Sequence, residues 1–549
     1  MKCNRITNSI EPLEARIAPA VFVVNLLGDT STVTTGKMTL RQAITAANTK
    51  GGSNTIVFAP GLHGVIDLVS GVLNIDSKLT IDGPGGNKII IDAQSNSGVF
   101  SIMSEAVTLN GLTVVDGIGS GIESQGPLTI DNCLISGFRG FNGGGVTENS
   151  GTGTLILKDS VVSGNSDSTG GGSGVYARMN GGVQIIDSKI IGNYAKGGGA
   201  GLNVVASGGI TISGSVISGN ISTSLGGGAY LNNDTTTGAK VAISNSLVSG
   251  NSAGASDDGG GIFLASSGPV SIKGTSFADN AAGGSGSEGG GLWEGGTGAA
   301  VIAGSRFSGN SAGLAGGMWL GSSNNVTIQA CSIFNNRAIN GGGIGGSGSF
   351  NLTVAGTTVS GNYASDLGGG IGLTATGVTR ITGSIISDNV AYSGGGAYLI
   401  TSGGITIQST HVLGNSASDT NVAGGGLVFD STSAVISLIA DIVANNSGNG
   451  NGGGMFIGST GTVTITGGSI AGNVAAGQGG GVFIGGTASA VINAPGVHIT
   501  GNVAGSYGGG VAHVNGGTGT VVLNPSTITG NVGAGGPFAT YENTYGAFN

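Results

Sequence analysis

Apolar residues recur along this chain on a fixed frame rather than in long runs. An Asn that follows Gly, Asp or Asn returns from Asn165 through Asn193, Asn220 and Asn251 to Asn531. These fourteen anchors are separated by 26 to 31 residues, about 28 on average. Three positions before each anchor the residue is always apolar, as in Val162, Ile190, Ile217, Val248, Phe277 and Phe307. One step earlier the residues are mixed and include Lys189, Arg306, His411 and His498. A period of two with one constant face predicts a half-buried strand. A second apolar column lies eight before the anchor (Ile185, Ile212, Ile243, Ile272), and a third pair follows each glycine triplet (Ile262/Leu264, Met318/Leu320, Met455/Ile457).

Three short strands per repeat cannot bury their apolar faces alone and must stack on copies of themselves. The expected fold is all-β, a single right-handed parallel β-helix, the hand following from the rule for parallel crossovers. Fourteen coils spaced about 4.8 Å apart give a rod on the order of 65 Å long. Glycine fits the corners, where positive φ and close backbone approach are needed. The anchor Asn has two possible reasons: a left-handed conformation, or hydrogen bonding to its copies above and below. Small residues five before the anchor (Ser160, Ser188, Ser215, Ser246, Thr275) form a further column, and Cys133 and Cys331 fall in it. Seven coils separate the two cysteines, far beyond the ~7 Å Cα limit for a disulfide.

Composition agrees with a long core and narrows the partners. Of 549 residues, 118 are glycine, 38% are hydrophobic and 8% charged, which is not the low-hydrophobicity, high-charge profile of disorder. Net charge is −9, and all 18 Lys and Arg lie at or before Arg380, so a nucleic-acid partner is not expected. No apolar run is long enough to span a membrane as a helix. The three cysteines and four histidines have no metal-ligand spacing, and no cofactor is expected.

The N-terminal stretch reads as a cap that covers the open edge of the stack. Leu40, Ala43, Ile44 and Ala47 fall at helical spacing, Thr39 can cap that helix, and Gly51–Gly52 ends it. The expected organisation is a leader-like segment at 1–20, a cap at 21–54, a β-helix at 55–534 of about 17 coils (irregular before 138), and a tail at 535–549. LRQAITAAN followed by NTIVFAPG is similar to the CSLREAI-type segment of bacterial secreted β-helix proteins. EPLEARIAPAVFVVN resembles the LEPR-type leader that precedes it in some surface proteins. SFADN…EGGGLW and SIFNN…NGGGI resemble repeats of polymorphic outer membrane proteins. The resemblance implies export to the cell surface or medium, with cell-envelope components or extracellular glycans as partners. The chain repeats to Asn531 and closes on YENTYGAFN without the β-barrel of outer-membrane autotransporters. Attachment or release is therefore expected to use other machinery.

Candidate chemistry is confined to one region. Tyr230, Phe263, Trp293 and Trp319 each lie two residues past a triplet in four consecutive coils, which places them on one outward line as a possible ligand face. Asp258 and Glu288 precede neighbouring triplets and are the candidate catalytic acids, with Arg306 in the next coil. Asp257 and Asp258 are the candidates for a metal site, although the spacing of calcium-binding nonapeptide repeats is absent. Glu294 falls on the inward phase, which predicts a bulge or a register slip in that coil. Cross-strand aromatic packing accounts for the rings without any ligand. The reading is a non-catalytic structural or adhesive protein, with a carbohydrate-binding or polysaccharide-degrading β-helix as the alternative.

Overall fold

The computed structural model describes residues 19–534, apart from short segments at 33–34, 104, 141–142, 150, 152, 234–237, 431–433, 459–460, 486, 494–495, 515–519 and 524–526, together with Thr544–Tyr545. Cys3, most of the leader-like segment and nearly all of the tail lie outside the described residues. What is described is a parallel β-solenoid with one helix, Leu40–Lys50. The regular coils run through four strands rather than the three that periodicity predicts, except the coil of Asn310, whose fourth strand is reduced to single bridges. In one coil these are Ile262–Ser266, Val270–Lys273, Ser276–Ala278 and Ala281–Gly283. Their copies stack in parallel register into sheets I to IV. Among the described residues, sheets I, II and III hold 18, 19 and 18 strands. Sheet IV, built mostly of two-residue strands just past the anchor, runs as six and then eight strands, joined through single bridges at Ser311.

The apolar columns fill the interior. Val248, Phe277 and Phe307 pair in register on sheet III and are fully buried, with the two rings stacked at 4.6 Å. Each such side chain contributes roughly 2 kcal/mol by leaving water.

The anchor asparagines are buried and form one continuous ladder. From Asn193 to Asn531, the Oδ1 of each Asn accepts both the backbone N–H and the Nδ2 of the Asn one coil before, as at Asn251–Asn280 (3.1 and 2.9 Å) and Asn280–Asn310 (3.0 and 2.9 Å), while Asn165 Oδ1 starts the ladder by accepting the Phe138 amide. Nδ2 also donates to a carbonyl one coil back, Asn280 to Val248 O at 2.9 Å. The left-handed conformation belongs instead to the residue before the anchor: Gly250 (φ 61°), Asp279 (φ 55°), Gly309 (φ 66°) and Asn335 (φ 55°). Gly, Asn and Asp are the residues that tolerate it, hence the sequence rule. The third glycine of each triplet makes room for the ladder. A Cβ on Gly261 would collide with the Gly291 carbonyl and press on the Asn280 side chain at 3.1 Å.

The small-residue column forms a parallel ladder. The amide of Ser160 donates to Ser188 Oγ at 3.2 Å and that of Ser188 to Ser215 Oγ at 3.1 Å. Cys133 and Cys331 sit in this column as buried free thiols.

At the N-terminal end, Val21–Val24 pairs with Asn54–Phe58, and the helix buries Leu40, Ala43, Ile44 and Ala47. Thr39 and Gln42 form a capping box. Arg41 clasps Asp29 with two bonds (2.6 and 3.1 Å), and Asp29 also accepts the amides of Val69 and Ser70. Burial raises the Asp29 carboxyl, but Arg41 and those amides outweigh it and hold it below the usual carboxylate range.

Replacing Asn310 by Ala removes the acceptor for two buried donors of Asn280 and the donor to Phe277 O. The expected cost is roughly 2–4 kcal/mol, felt locally because a solenoid's stability is a sum over neighbours. Hydrogen exchange should speed up at the Asn280 amide while amides near Asn473 keep wild-type protection.

Candidate functional site

Tyr230, Phe263, Trp293 and Trp319 occupy the second position of four successive sheet I strands and pair in exact order along the rod. All four are half-buried. Tyr230 stacks on Phe263 (5.2 Å, 5°) and Phe263 on Trp293 (4.2 Å, 7°). The rings of Tyr230, Phe263 and Trp293 are parallel and follow the coil spacing, so their faces turn along the rod axis. Phe263 has both faces covered, and the row presents ring edges to solvent. Trp293 lies over Gly295, where a Cβ would collide with the indole.

The acids are tied to this row. Glu288 Oε2 accepts the Trp293 indole N–H at 2.8 Å, and Asp258 Oδ1 accepts the Glu288 amide at 2.8 Å. Burial raises the Asp258 carboxyl, the Glu288 amide opposes that, and Asp257 adds to it. Burial also raises Glu288, with the indole bond opposing and Asp258 adding. Neighbouring carboxyls with raised pKa are suited to exchanging a proton with a substrate. Arg306 belongs to sheet III, where its guanidinium stacks over Phe334 at 4.1 Å. Asp257 is half-buried beside Asp258. Among the described residues no three His, Cys, Asp or Glu side chains gather where they could hold a metal ion.

Glu294 requires a correction. There is neither bulge nor slip: Leu264, Glu294 and Leu320 stand in register, and Glu294 points into the core, fully buried and with no hydrogen-bond partner. Burial pushes its carboxyl up to about 8. Glu148 and His513 are buried in the same inward column. Asp441, which the small-residue column did not suggest, takes a serine's place in that ladder. It accepts the Thr410 amide at 2.8 Å, and burial pushes it to about 6.

A second place of interest lies on sheet IV. Its outward column runs Ile118, Arg139, Ser166, Tyr194 on four successive coils. With Asp116 and Lys196 these residues surround a cleft of about 420 Å³. The available signal was the position one past the anchor, where Tyr194, Ile221, Arg337 and Tyr363 all fall.

The family model described as right-handed β-helix region matches residues 97–277 and 255–412, more than half of the chain. The chain belongs to this right-handed β-helix family. No curated protein matches it. Among solved structures it is similar to the A-module of Azotobacter vinelandii mannuronan C-5 epimerase AlgE6 (13% identity, 92% of this chain and 93% of that one, TM-score 0.23). It is also similar to a mannuronic acid-specific polysaccharide family 6 lyase from human gut microbiota (12% identity, 76% and 86%, TM-score 0.25).

The buried Glu294 makes a family member of this kind sensitive to base. Its folded pKa is raised from 4.5 to about 8, so its contribution is intact below about pH 4.5 and is lost as pH rises to about 8, at roughly 1.4 kcal/mol per unit. Glu294→Leu, matching its neighbours Leu264 and Leu320, should be more stable than wild type at pH 9. In denaturant titrations that advantage should shrink steadily toward pH 5.

Proposed function

We propose that this chain is a non-catalytic β-helical rod of the cell surface or extracellular space, with a structural or adhesive role. The observation that carries the reading is the unbroken Asn ladder from Asn165 to Asn531, in which every rung is made by the same two bonds. Such a ladder favours a stiff, uniform shaft, and stiffness over length is what a spacer or adhesive stalk needs. The surface location rests on the CSLREAI-like and LEPR-like segments.

A second reading has a specific observation in its favour. Asp258, Glu288 and Trp293 are linked by hydrogen bonds, and both carboxyls are raised. This reading makes the chain a polysaccharide-binding or polysaccharide-degrading protein.

Protease treatment of intact host cells should remove the rod, whereas its recovery only from the cytosol would sink the surface reading. Purified protein incubated with acidic polysaccharides should release no new reducing or unsaturated ends. Turnover that disappears in both Asp258→Ala and Glu288→Ala would replace the structural reading with the enzymatic one.

A further inference from the structure

The sheet IV cleft gathers unpaired charge and exposed apolar surface in one concavity. Ser166 is small and stands between Arg139 and Tyr194 in the outward column, so a notch opens between two large side chains. Ile118, 50% exposed, and Tyr194, 41% exposed, offer apolar surface to solvent at the two sides. Exposed apolar surface gathered in a concavity is a common mark of a binding site. Arg139 and Lys196 are both exposed, and among the described residues neither makes an ion pair or a side-chain hydrogen bond. Arg41 and Lys158 are paired with acids, and Arg306 and Arg337 lie over rings. Among the described residues other cations such as Arg178 and Arg380 stand alone on sheet faces, while at the cleft two such cations border one concavity.

The floor acid does not compete for these cations. Asp167 is fully buried, and its carboxylate accepts the amides of Gly143 (2.8 Å), Thr169 (2.6 Å) and Gly170 (3.0 Å). At the rim, Asp116 holds Ser95 Oγ at 3.0 Å. In a chain of net charge −9, the cleft therefore sets two free cations beside an aromatic ring and hydroxyls.

We infer that this cleft binds a carboxylate-bearing sugar unit of an extracellular glycan. The planar guanidinium of Arg139 matches a carboxylate in two-pronged fashion. Tyr194 supplies a surface for the apolar side of a sugar ring, and Ser166 supplies a hydroxyl. Arg139 lies on a sheet IV strand and Lys196 just past the strand Tyr194–Ala195 two coil steps on, roughly 10 Å along the rod, which suits consecutive charged units of an acidic oligosaccharide. An acidic peptide fits less well. The sheet IV strands here are paired on both sides, so no free backbone edge remains for a peptide to join.

The inference rests on the adhesive reading and names its ligand class, yet the two fail separately. A surface rod that binds no glycan sinks only the cleft, and a cytosolic rod that binds one sinks only the location. The test is calorimetry on the purified full chain with galacturonate tetrasaccharide, its methyl ester, a sulfated and a neutral galactan tetrasaccharide, and a Glu-rich octapeptide. Binding is expected for the free uronate alone. Arg139→Gln and Tyr194→Ala should each weaken it about tenfold or more, about 1.4 kcal/mol per tenfold, with unchanged circular dichroism. Arg337→Gln, on the same sheet outside this cleft, should bind like wild type. No binding by wild type, equal loss in Arg337→Gln, or equal affinity for the sulfated sugar or the peptide would overturn the assignment.

Discussion

Everything in this rod depends on a buried amide that has to be satisfied from its neighbours. An Asn side chain placed inside a solenoid brings two donors and an acceptor out of water, and without partners the cost would be several kcal/mol per coil. Stacking solves this only if every coil offers the same group at the same height. That demand fixes the residue before the anchor, which must turn left-handed, and the third glycine of the triplet, which must vacate the space the amide fills. Three sequence features that look like separate glycine-rich ornaments are thus parts of one constraint.

With the backbone and the interior columns committed in this way, functional variation is left to outward positions. A ligand site on the sheets of such a body is built differently from a pocket enclosed by loops. It is a patch assembled from one column across successive coils, so neighbours in the site are about 28 residues apart in sequence. Both patches described above have this form. They differ in their internal economy: the Trp293–Glu288–Asp258 group satisfies itself, while the Arg139–Tyr194–Lys196 group leaves its charges facing outward.

The parts of the structure legible in the sequence are those with strict periodicity. The columns three and eight before the anchor gave sheets III and II, the pair after each triplet gave sheet I, and the aromatic row emerged in its true order. Sheet IV escaped because strands such as Tyr194–Ala195 and Ile221–Ser222 are too short to show alternation. Glu294 was legible in register but not in environment, since a carboxylate at an inward position argues for an irregularity that the backbone does not contain. Asp29–Arg41 joins a loop to the helix, and no local pattern announces a pairing of that kind.

The ladder also has a direction. In every rung the Nδ2 faces the next coil and the Oδ1 faces the previous one. Fourteen side-chain amides are therefore aligned head to tail over the length of the rod, oriented with their positive ends toward the C-terminal tip. Backbone dipoles in a sheet largely cancel, but these do not. The shaft is electrically polar, like a helix turned end for end, and its two tips are distinguishable to any charged body that approaches along the axis.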